Sequence, residues 1–221
     1  MLNSEDNWIE ETLPVEFISV DVGFLLTDGF YYGDQNDSTA LLSGKWHTPL
    51  YKPRMTTWGS FVLIRSSDWS TEELVRYYKS VLTNIQKYRM DLSKCKQYFW
   101  MRPFLLYEHG VVSFPWYDTY SETNHLLTSI EEATVGEVFW DRDQGWELNM
   151  IAQEGRLYIR EWDPDDSGSI PSVNMDCPLG TLQSQCTEIK LRVKRVLNDL
   201  ETALGSNYWE HGADQKKDAA E

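Results

Sequence analysis

Apolar and polar residues repeat along this chain with two different periods, and the change from one to the other marks out strands and helices. Residues 15–26 (VEFISVDVGFLL) set Val15, Phe17, Ser19 and Asp21 against Glu16, Ile18, Val20 and Val22, a strand pattern that Thr27-Asp28-Gly29 breaks. Residues 33–57 show little periodicity and contain Gly33, Gly44, Pro49 and Pro53, so a long irregular segment is expected there. WGSFVLI at 58–64 is a second strand candidate. Ser70-Thr71-Glu72-Glu73 then has the form of a capping box, with the Ser70 hydroxyl accepting from the Glu73 N–H while the Glu73 carboxylate reaches back. The helix it opens should run to about Met90, because Leu74, Tyr78, Val81, Ile85 and Tyr88 step by four, three, four and three and share one face. Arg76, Lys79 and Lys87 lie away from that face, as on an ordinary solvated helix.

Phe104 to Tyr107 and Val111 to Phe114, separated by Glu108-His109-Gly110, read as a hairpin. Residues 136–162 spell a three-stranded meander: Glu137 to Trp140, a turn at Asp141 to Gly145, Trp146 to Ile151, a turn at Gln153-Glu154-Gly155, and Arg156 to Trp162. Both turns end in Gly, as loops needing positive φ require. Trp146, Leu148 and Met150 alternate with Glu147 and Asn149, which implies one buried and one wet face. A Pro- and Asp-rich loop at 163–180 leads to a closing helix at about 182–204, whose Cys186, Ile189, Val193, Val196, Leu200 and Leu204 align, with Gly205 placed to end it. The expected fold class is α+β. An antiparallel sheet that includes the 136–162 meander packs with two main amphipathic helices (about 70–90 and 182–204) in a single domain, 1–209, followed by a flexible tail at 210–221.

Charge changes this picture. The first 44 residues carry nine acids and no Lys or Arg, residues 45–105 carry 11 bases and 4 acids, and residues 106–188 carry 3 bases and 16 acids. The acidic N-terminal stretch is too rich in apolar and aromatic residues to be a disordered acidic tail. A net charge of −15 disfavours direct binding of nucleic acid or an anionic membrane and favours a basic partner. The three cysteines, Cys95, Cys177 and Cys186, form no C-x-x-C pair and are read as reduced thiols. The acidic MLNSEDNWIEE start has no apolar core and no stretch is long enough for a membrane span, so a cytoplasmic location is expected.

Candidate chemistry is sparse. Asp163-Pro164-Asp165-Asp166-Ser167-Gly168 resembles the start of a calcium loop, but Asn174 stands where a bidentate Glu is needed and Pro171 interrupts it; an Asp/Gly turn is the simpler reading. Pro164-Asp165 with Glu188-Ile189-Lys190 matches the letters of a metal-nuclease pattern, yet the second part falls in a helical stretch instead of a strand. His47, His109, His125 and His211 lack metal-ligand spacing, and no nucleophile elbow, P-loop or dinucleotide fingerprint is present. The expectation is a protein that is not an enzyme, with no metal and no cofactor.

Ten tryptophans and twelve tyrosines remain, side chains that bury large area with few torsions to freeze. Most serve a core. Where aromatic and acid sit together beside a turn they are candidate partner-binding residues: Trp140, Asp141 and Asp143 at one turn; Trp162, Asp163, Asp165 and Asp166 at the next; Tyr31, Tyr32, Asp34 and Asp37 near the N-terminus. Two chain reversals should return Trp162 to the end of the meander that holds the Asp141 turn.

The run G-W-E-L-N-M-I-A at 145–152, G-R-L-Y-I-R-E-W at 155–162, the Pro-containing loop after it and the closing L-G-S-N-Y-W at 204–209 resemble bacterial immunity proteins encoded beside polymorphic toxins. The similarity is greatest to those paired with restriction-endonuclease-like toxins, including effectors delivered by type VI secretion. It covers about residues 15–209, is densest over 136–209, and carries over no binding residue. It implies a cytoplasmic antitoxin that neutralises a nuclease toxin by stoichiometric binding; a homo-oligomer is compatible with it. Acidic character agrees, since nuclease surfaces that hold DNA are basic. A carbohydrate-binding or carbohydrate-active protein using Trp and carboxylate surfaces is the rival reading.

Overall fold

The computed structural model describes residues 6–33, 47–53, 56–58, 61–112, 114, 117–143, 145–162 and 172–210. In chain order the strands are β1 (Leu13–Pro14), β2 (Ile18–Leu25), β3 (Gly29–Tyr31), β4 (His47–Pro49), β5 (Thr56–Trp58), β6 (Phe61–Arg65), β7 (Met101–Tyr107), β8 (Gly110–Val112), β9 (Gly136–Asp143), β10 (Trp146–Gln153), β11 (Arg156–Trp162) and β12 (Val173–Pro178). The α-helices are α1 (Thr71–Lys87), α2 (Tyr120–Glu131) and α3 (Leu179–Leu204), with 3₁₀ turns at Asp6–Glu11 and Leu92–Phe99. The fold class is α+β. Two compact units interleave along the chain: Met1–Asp21, Pro103–Trp116 and Glu122–Leu191 form the first, and Val22–Arg102, Tyr117–Ser121 and Arg192–Glu221 the second.

The first unit is built on a sheet of order β1-β12-β11-β10-β9. Its centre is the meander read from sequence. β10 and β11 join through Glu154 (φ 52°) and Gly155 (φ 77°), two left-handed residues whose twist suits a tight hairpin. β9 runs on to Asp143, opposite Trp146, so the first turn is shorter than the pattern implied and Asp141 and Asp143 belong to the strand. Of the loop expected at 163–180, residues 163–171 lie outside the described residues; Val173–Pro178 form β12, antiparallel to β11 and parallel to β1, and α3 begins at Leu179.

α2, a helix beyond the two expected, buries Thr123, Leu126, Leu127 and Ile130. Gln183 of α3 caps it by donating to the Glu131 and Ala133 carbonyls (3.1 and 2.8 Å). Lys190 reaches back to Glu131 at 2.6 Å, and with the Thr187 hydroxyl it holds that carboxyl below its ordinary range. Gln185 supplies β2 with a strand-like partner: its carboxamide accepts from Val20 N–H (2.7 Å) and donates to Ile18 O (3.0 Å).

In the second unit the run WGSFVLI is not one strand but a hairpin, with Trp58 opposite Phe61, and β6 pairs in turn with β2. β3 and β4 form a separate ribbon within the stretch expected to be irregular. α1 buries Leu74, Tyr77, Tyr78, Val81 and Ile85. Ser70 caps it as expected, accepting from Glu73 N–H at 3.5 Å, but the reciprocal half of the capping box is replaced. The Glu73 carboxylate instead accepts the Tyr51 hydroxyl (2.8 and 2.9 Å). Among the described residues no helix is long and apolar enough to cross a membrane.

Candidate functional site

Strand register assigns each side chain of the meander to a face, because directly opposed residues project to the same side of a sheet. In β10 Trp146, Leu148, Met150 and Ala152 are buried while Glu147 and Asn149 are half-exposed. The inner face therefore holds Leu148, Met150 and their partners Phe139, Ile159 and Met175. On the outer face Glu147 stands between Arg142 and Trp162, and Asn149 between Trp140 and Arg160. Asn174 of β12 continues that second row beside Arg160.

Trp140 is 53% exposed and Trp162 is half-buried, so the sheet presents two indoles to one side. Tyr158, opposite Ile151, follows along β11 on the same face. So do the only three basic residues between 106 and 188, Arg142, Arg156 and Arg160. Arg156 is committed: its Nε donates to the buried Asp176 carboxylate, which also accepts the Thr12 hydroxyl at 2.9 Å. Arg160, a five-donor side chain, stands in register between Asn149 and Asn174, whose Oδ1 atoms are buried without a hydrogen-bond partner among the described residues.

The sequence-selected residues are thus partly reunited and partly separated. Trp140 and Trp162 share one face at the end of the meander where Arg142, Glu147 and Trp162 lie in one row. Asp141 does not join them; it opposes Leu148 and shares the inner-face row with Glu161, whose carboxylate accepts the Trp146 indole N–H at 3.0 Å. Asp143 is the last residue of β9. Asp163, Asp165, Asp166, Asp34 and Asp37 lie outside the described residues, and so does the body of the calcium-loop candidate.

Tyr31 and Tyr32 belong to the second unit. The Tyr31 N–H donates to Tyr98 Oη (2.8 Å), and the Tyr32 ring lies on Tyr88 with centroids 3.8 Å apart and 3° between planes. The Lys87 ammonium, 4.8 Å from the Tyr88 ring centre, is the main cause holding that phenol below its usual range. Arg142, Asn149, Tyr158 and Arg160 were missed as site residues, although the two-residue alternation that selected the strands also lists them.

The chemistry available elsewhere is structural. Burial pushes the thiols of Cys95 up to about 11 and of Cys177 and Cys186 up to about 12, which keeps them protonated and poorly nucleophilic near neutral pH. Glu188-Ile189-Lys190 sits on α3, where Lys190 is occupied by Glu131. Among the described residues no group of three or more His, Cys, Asp and Glu is arranged to hold a metal ion. No family model, curated protein or solved structure matches the chain.

Proposed function

We propose that the chain is a cytoplasmic immunity protein that binds and neutralises a cognate toxin, of nuclease type, by stoichiometric association. The observation that carries this reading is the outer face of the meander. Trp140, Trp162, Tyr158, Arg142 and Arg160 are of the three residue types that dominate binding hot spots, and they occupy one sheet face. A rigid sheet holds such side chains with little ordering cost on association. The net charge of −15 supplies long-range attraction to a basic nuclease, and the acids act in the encounter while the aromatics and arginines anchor.

The test is to co-express the chain with the toxin encoded beside it, score survival, and titrate the purified pair. A 1:1 complex and protected cells are expected. Trp140→Ala and Trp162→Ala should each weaken binding by on the order of 2 kcal/mol, chiefly through faster dissociation. Asp141→Lys should slow association instead. No complex and no protection would end the reading, and unchanged affinity in both Trp variants would move the interface off this face. The exposed Trp140 beside Asn149 and Glu147 also suits a sugar ring, so binding of glycans that is lost in Trp140→Ala would favour the carbohydrate reading.

A further inference from the structure

Arg160 lies half-buried on β11, the central strand of its sheet, in the outer-face row that runs Trp140, Asn149, Arg160, Asn174 across four strands. Of the three basic residues between 106 and 188, Arg156 is committed to Asp176 and Arg142 is exposed near the end of β9. Arg160 forms no ion pair with a carboxylate among the described residues. Glu147 belongs to the next row, between Arg142 and Trp162, and Glu161 turns to the inner face and the Trp146 indole.

What flanks Arg160 in its row is neutral. The Asn149 and Asn174 Oδ1 atoms are buried and lack a hydrogen-bond partner among the described residues. The Asn174 amide has a fixed orientation, because its Nδ2 donates to Glu11 O (3.1 Å) and Oδ1 is left as its free atom. Amide oxygens can accept some of the five N–H groups of a guanidinium and so aim it, but they bring no charge to offset its own. A partner laid on this face takes Arg160 out of water. Left unpaired there, or set against a basic residue, the guanidinium opposes association, whereas a carboxylate matches both its charge and its fork. The charge wanted at this one point is therefore opposite in sign to the basic surface that the acidic chain attracts from a distance.

Resting on the reading of this face as the interface, we propose that the toxin places one Asp or Glu carboxylate on Arg160, between Asn149 and Asn174. A double-mutant cycle tests this with the full-length chain and the toxin encoded beside it. Each Asp and Glu of the toxin is changed in turn to its amide, and affinities and dissociation rates are measured. Arg160→Met should raise Kd by about 30-fold or more, through faster dissociation, with its thermal transition preserved. One toxin amide variant should lose a comparable factor against the parent chain and nothing further against Arg160→Met. Arg160→Lys keeps the charge without the fork and should fall between the two. An unchanged Kd in Arg160→Met, or no toxin carboxylate coupled to it, overturns the proposal; the interface reading survives that result if Trp140→Ala still weakens binding. Loss of the Arg160 effect when Asp163, Asp165 and Asp166 are changed to Asn also overturns it, because the carboxylate would then be the chain's own. No complex at all ends both. If Arg160→Met does not fold, Arg160→Lys is taken through the same cycle and decides it.

Discussion

One step along β9 separates Trp140, presented to solvent on the outer face of the meander, from Asp141, which opposes Leu148 on the inner face. Adjacency in sequence suggested a joint aromatic and acidic patch, but a pleated strand sends neighbours to opposite sides. What register gathers around Trp140 is Asn149 and Arg160 from two other strands. Gly29 makes a similar point at shorter range. A Cβ there would lie 1.6 Å from His47 Nε2, because the imidazole of β4 covers the glycine of β3. His47 is exposed and its imidazole can rotate away, so Gly29→Ala should change stability by less than about 1 kcal/mol. A fall in the denaturant midpoint equivalent to more than about 2 kcal/mol would show that the imidazole is held in place over the glycine.

At the scale of elements, α1 ends in a Schellman arrangement, with Met90 N–H donating to Ile85 O (2.9 Å) and Arg89 N–H to Gln86 O (3.2 Å). The left-handed residue this needs is Arg89, at φ 54°, where glycine is preferred. Arg89→Gly should raise stability by about 0.5–1 kcal/mol, measured as a higher urea midpoint with unchanged slope; a lower midpoint would mean the arginine side chain stabilises more than its backbone costs. α3 stops with the simpler left-handed cap, in which Gly205 at φ 81° donates its N–H to Glu201 O (2.8 Å), and that end was legible in the sequence. α2 was less so. Its buried positions 123, 126, 127 and 130 have helical spacing, but Ser, Thr and Asn fill much of the remainder, residues that favour caps and turns. β12 was hidden for a different reason: its ladders to β11 and β1 are made with residues distant in sequence, and the proline-rich approach to it reads as loop.

For the molecule as a whole, buried groups that must stay neutral make alkaline pH the vulnerable side. The thiols of Cys95, Cys177 and Cys186 are raised from an ordinary 9.0 to about 11–12 by burial, and the fully buried Tyr78 phenol is raised well above 10. A folded pKa above the unfolded one contributes stability that is complete below the unfolded value and is lost as pH rises toward the folded value. The urea midpoint should be level up to about pH 9 and fall steadily toward pH 12, and Cys177→Ala should make that fall shallower. A midpoint that stays level to pH 11 would contradict the burial of these groups. Charge segregation, the meander, its hairpin turns, α1 and most of α3 were determined by the sequence itself, because local periodicity, capping and turn chemistry act over a few residues. The tertiary structure alone decided that Trp140, Trp162 and the arginines of 106–188 share a face and that Asp141 leaves it. These depend on strand register and on packing between residues far apart in the chain, which no local pattern encodes.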